Sequence, residues 1–170
     1  FISFINPDAV KSIELYKSGV PSMYGDKLSG FVNLMLKDGN VKQHHQSLSI
    51  GPIMGSFTLE GPIKKNKVSY LLTARRFFID LLYLGASAIG GVNASGVPVA
   101  SFYDINGKIA WNMTNNSKLS LQVYNGYDDM FNKTKEESFT QDKLNNKYGQ
   151  GWGTFSSSLK YAVSLRSKLY

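Results

Sequence analysis

The chain has 170 residues and a net charge of +7, from 19 Lys and Arg against 12 Asp and Glu. It contains no Cys, which excludes a disulfide scaffold and a thiolate metal site, and its 42% hydrophobic content argues against disorder. The basic residues are scattered rather than gathered into a stripe beside stacking groups, so a nucleic-acid partner is not expected.

At the N-terminus, Phe1 to Pro7 lacks a basic start, a long apolar stretch and a small-residue cleavage site. It reads as the middle of a longer protein rather than as a signal peptide. Pro7 to Lys11 can open a brief helix, with Asn6 placed to cap it. Ile13 to Tyr16 reads as a short strand and Phe31 to Leu36 as a longer one. Between them Gly19, Pro21, Gly25 and Gly30 impose turns, and Asp38-Gly39 favours a tight turn afterwards.

From about Lys42 onward the dominant period is two, the signature of strands. Val68, Tyr70, Leu72 and Ala74 alternate with Ser69, Leu71, Thr73 and Arg75, as do Leu119, Leu121 and Val123 with Ser120, Gln122 and Tyr124. Six strands are predicted: Lys42 to Ile50, Met54 to Glu60, Val68 to Phe78, Phe102 to Met113, Leu119 to Tyr127 and Gly151 to Val163. Leu169-Tyr170 would begin another. His44 and His45 are adjacent on such a strand and point to opposite faces, so they are not expected to share a metal.

The connections differ in length. Ile63 to Lys67, Thr114 to Lys118 and Ser164 to Lys168 are short and polar, whereas Ile79 to Ser101 and Asp128 to Tyr148 read as long loops. Short turns alternating with long loops, and strands of about ten residues, are habits of outer-membrane β-barrels. Compact soluble domains rarely carry repeated long loops. The apolar run Phe77 to Val92 contains Asp80 and falls short of the roughly 20 residues that a spanning helix needs.

Three ordered segments sharpen this reading. Val10-Lys11-Ser12-Ile13-Glu14-Leu15-Tyr16-Lys17-Ser18-Gly19, then Pro21-Ser22-Met23-Tyr24-Gly25, then Gly30-Phe31-Val32-Asn33-Leu34-Met35-Leu36-Lys37 resembles the end of the plug in a TonB-dependent receptor. Leu59-Glu60-Gly61-Pro62-Ile63, the stretch from Ser69-Tyr70 to Arg75-Arg76 and Asp80, Phe102 to Lys108 and Trp152-Gly153 look like the first barrel strands of that family. The likeness is greatest to receptors with an N-terminal carboxypeptidase-regulatory-like domain, akin to the SusC-like importers.

The resemblance implies a mainly β fold. Residues 1–40 would be the C-terminal part of an α/β plug, and residues 41–170 about six strands of a transmembrane antiparallel β-barrel. A complete barrel of this type has about 22 strands, so the chain reads as part of a larger receptor. It implies location in the bacterial outer membrane, energised import of a bulky nutrient, no enzymatic activity and no cofactor. The implied partners are the TonB complex, outer-membrane lipid and a surface lipoprotein. Siderophore, vitamin, glycan and peptide all stay open as ligands.

Ligand-facing candidates are Tyr83, Tyr127, Asp128, Asp129, Phe131 and Tyr148, with interfacial packing as the competing role. Arg75 and Arg76 are expected on opposite faces, the lumen one pairing with a plug carboxylate such as Glu14. Leu119, Leu121 and Val123 are assigned to lipid, Ser120 and Gln122 to the lumen. A passive porin-like barrel and a soluble glycan-binding β-sandwich are the alternatives.

Overall fold

Two separate antiparallel sheets make up the computed structural model, which describes residues 6–17, 30–90, 98–136 and 144–164. The smaller joins β1 (Val10–Tyr16) to β2 (Phe31–Leu36). The larger contains β3 (His45–Ile50), β4 (Met54–Lys64), β5 (Val68–Phe77), β6 (Pro98–Thr114), β7 (Ser117–Glu136) and β8 (Leu144–Val163). Each strand pairs with the next in sequence, so the sheet is an open meander with β3 and β8 at its edges. One helix, α1 (Ile79–Ala88), joins the β5 side to β6. The fold is mainly β, as the period-two pattern requires.

Local chemistry accounts for the entry into β1. The Asn6 side chain accepts from the Asp8 amide at 3.0 Å, and Pro7 opens a single 3-10 turn, Pro7–Ala9. That turn is shorter than the helix predicted over Pro7 to Lys11, because Val10 is already extended and pairs with Leu36. The motif Pro21 to Gly25 lies outside the described residues, as do Arg166 to Lys168 and Leu169-Tyr170.

The chain reaches the large sheet through a tightly fitted link. Gly39 has φ +79°, and a Cβ there would lie 2.1 Å from the Tyr70 carbonyl oxygen. Asn40 Oδ1 then accepts from the amides of Lys42 and Gln43, a turn built on one side chain. At the β4–β5 turn Asn66 takes φ 60°, a left-handed conformation that Asn tolerates better than most residues, and its amide donates to the Val41 carbonyl. Gly39→Ala is expected to cost about 1–3 kcal/mol, from left-handed strain and the backbone clash together. Equilibrium denaturation measures it; a loss of a few tenths would mean that the link relaxes freely.

Two loop expectations fail. Residues 128–136 and 144–148 are strand, not loop: β7 and β8 each run 20 residues, and only 137–143 between them lie outside the description. A paired ladder satisfies its backbone whether or not one face is apolar, so the strands continue after the hydrophobic alternation fades. The stretch Ile79 to Ser101 likewise contains α1 and the first residues of β6. At 10 residues α1 cannot span a bilayer, and no helix among the described residues is long and apolar enough to do so.

The register fixes two faces. One carries Leu48, Phe57, Leu72, Ile105, Ile109, Leu121, Val123, Phe155 and Leu159, all exposed. The other carries Ser56, Thr58, Thr73, Asn106, Lys108, Ser120 and Gln122. Residues 6–17 and 30–40 pack on this polar face. The small buried cluster of Ala9, Leu36 and Leu71, with Val10 and Leu34 against it, lies at the contact.

Candidate functional site

The contact of residues 6–17 and 30–40 with the polar face is mostly ionic and hydrogen-bonded. Asp38 lies between two strand lysines, with Lys108 Nζ at 2.8 Å from one carboxylate oxygen and Lys118 Nζ bonded to the other. Lys108 also donates to the Leu36 carbonyl at 3.0 Å. Ser69 Oγ donates to the Asp38 carbonyl at 2.7 Å, and Ser56 Oγ to Asp8 Oδ2 at 3.1 Å. Three strands of the large sheet therefore reach β2 and the turn after it.

Partial burial pushes the Asp38 pKa up, but the hydrogen bonds and charges of Lys108 and Lys118 outweigh it and hold the carboxyl below its ordinary value. A lowered folded pKa contributes stability that is fully present above the unfolded value and is lost as pH falls through the folded value. The contact should therefore survive acidification to about pH 4. Hydrogen exchange of residues 34–40 checks this: protection should hold from neutral pH to that point and fall in Asp38→Asn. Protection already lost near pH 6 would assign the contact to another group.

Further along the same face, Arg75 and Asp104 are cross-strand neighbours on β5 and β6. Arg75 Nε donates to Asp104 Oδ2 at 2.7 Å and a second guanidinium nitrogen bonds the same oxygen, with the side chains only 4% and 2% exposed. The guanidinium carbon lies 5.1 Å from the Phe102 ring centroid, and Phe102 stacks on Phe77. Arg76 points to the other face and bonds Asp80 at 3.0 Å. The split of the two arginines follows from strand geometry. The partner expected for Arg75 does not: Glu14 instead accepts from Tyr16 and Asn33 within the small sheet. Asp104, missed in the sequence, becomes Arg75's neighbour only once the β5–β6 register is set.

The ligand-facing candidates are not gathered on loops. Tyr127, Asp128, Asp129 and Phe131 belong to β7 and Tyr148 to β8, while Tyr83 is on α1, which packs against β6. Tyr127 lies on the apolar face, stacked on Tyr103 with centroids 6.1 Å apart and its ring covering Gly151 and Gly153. Aromatic cover of strand glycines restores contacts that a missing side chain leaves open, so packing explains this ring. Asp128 lies opposite Phe102 and Trp152, on the row next to Arg75–Asp104. Tyr148 is exposed. The Tyr83 hydroxyl is buried and has no hydrogen-bond partner among the described residues.

His44 and His45 separate as expected. His44 Nδ1 lies 3.2 Å from the Tyr70 hydroxyl, with its ring over Gly61, whereas His45 is opposite Glu60. No group of three or more His, Cys, Asp or Glu positioned for a metal occurs among the described residues. No known protein family matches this chain, and neither a curated protein nor a solved structure shows significant similarity to it.

Proposed function

We propose that this chain is the end of the plug and the first wall strands of a TonB-dependent outer-membrane receptor that imports a bulky nutrient. The observation that carries the reading is the polarity of the two faces: the second layer covers the polar face and leaves the apolar one bare. A soluble sandwich does the reverse, burying apolar faces against each other. Monomeric soluble proteins rarely expose contiguous apolar patches beyond a few hundred Å². In lipid the same arrangement is at equilibrium, with hydrocarbon outside and water or plug groups inside.

The dimensions agree with that assignment. On the apolar face, Tyr103 and Tyr127 lie at one end and Trp111 and Tyr161 at the other. The eight steps from Tyr103 to Trp111 span roughly 27 Å along a strand, or about 20 Å when tilted near 40°. That is close to the roughly 25 Å apolar band of such barrels, with aromatic rings at both interfaces. Lipid does not tolerate unpaired strand edges, so β3 and β8 would pair with further wall strands in the complete barrel.

A passive porin would use the same wall faces. Import is favoured over it by the docking of residues 6–17 and 30–40 on the polar face and by the ordered plug-like series from Glu14 to Lys37. The complete receptor, extracted from outer membranes in detergent, is expected to bind the periplasmic domain of TonB. A barrel without that binding would be a porin. A protein recovered in the soluble fraction would overturn both membrane readings.

A further inference from the structure

Between β2 and strands β6–β8 lies a cavity of about 350 Å³ whose charge is unbalanced. Lys11, Lys108, Lys118 and Lys160 reach it from four different strands, and Asp38 is the carboxylate in its lining. Asp38 is shared by Lys108 and Lys118, while Lys11 and Lys160 have no ion-pair partner among the described residues. Four lysines against one carboxylate give the lining a surplus of three positive charges, and an excess of one sign draws a counter-ion of the other. The remaining polar lining, including Gln122 and Ser158, supplies neutral hydrogen-bond donors.

Solvated lysines on a strand face usually point away from one another into water. Here all four line one cavity at the seam between the two layers, which suits a ligand that bridges them. We propose that this cavity binds a solute carrying two or more oxyanion groups, phosphates or carboxylates. A single oxyanion would leave part of the cationic lining unmatched; two or more can meet lysines of both layers at once. The volume falls within the range of small-molecule sites. The site rests on this geometry alone, and only its place on an import path rests on the function proposed above.

Calorimetric titration of the complete receptor in uncharged detergent at low salt, with pyrophosphate and separately with citrate, tests the proposal. Saturable binding of either is expected, and which one binds assigns phosphate or carboxylate chemistry. Lys11→Gln with Lys160→Gln should weaken that binding at least tenfold without unfolding the protein, since both side chains are exposed and outside the ion pairs. Absence of binding by both anions at millimolar concentration, or equal binding by the double lysine variant, overturns the proposal. A receptor that binds TonB but neither anion retains the import reading and loses this one.

Discussion

Replacing Arg75 with Met is expected to destabilise the folded protein by about 3–5 kcal/mol, the cost typical of breaking a buried ion pair from one side. Asp104 is almost wholly buried, and its second oxygen, Oδ1, has no hydrogen-bond partner among the described residues. Without the guanidinium, that carboxylate must stay charged in a poor environment or take up a proton. Lys in place of Arg75 should recover only part of the loss, since an ammonium cannot reproduce the fork onto Asp104 or lie as a plane over Phe102. Adding Asp104→Leu to Arg75→Met should restore most of the stability, because the buried charge is then gone. Urea unfolding in lipid vesicles measures all three. A single-variant loss under about 1 kcal/mol would show that water reaches the pair.

The second large effect belongs to the apolar face. Leu121 lies between Ile109 of β6 and Leu159 of β8, in the middle row of the exposed hydrophobic surface, and is itself 45% exposed. At the midplane of a bilayer, Leu121→Arg should cost roughly 2–4 kcal/mol. Gln122, one residue on, faces the polar cavity between Lys108 and Ser158, and Gln122→Glu, which sets a carboxylate opposite Lys108, should cost under about 1 kcal/mol. Equal losses at the two positions would mean that the faces do not differ in their surroundings.

Much of the large sheet was legible because its strands repeat every second residue. Phe31 to Leu36 was predicted with the bounds that the structure has, and β5 to within one residue. The same rule put Ser120 and Gln122 on one face and Leu121 and Val123 on the other, as the register now places them. Where alternation faded, the reading failed. Residues 128–136 are rich in Asp, Asn and Lys and lack an apolar face, yet backbone pairing with β6 and β8 carries β7 through them. Helix α1 gave no amphipathic signal, since its run from Ile79 is apolar on nearly every side.

The site was less legible than the large sheet, for a physical reason. Asp38 meets lysines 70 and 80 positions away, and Arg75 meets Asp104 across a connection that contains a helix. Such partners depend on strand register, which no local pattern encodes across a long connection. Tyr127, the last residue of a predicted strand, is a ligand-facing candidate in the sequence, but the contacts of its ring with Gly151 and Gly153 become visible only with the β7–β8 pairing.

The central claim is that the bare apolar face meets lipid and the covered polar face meets the lumen. Spin labels placed singly at positions 121 and 122 of the protein in lipid vesicles test it most directly. Oxygen, which partitions into hydrocarbon, should relax the label at 121 strongly and the label at 122 weakly; a water-soluble nickel chelate should do the opposite. A label at 121 that responds to neither agent would be packed inside protein, and that result would contradict the account.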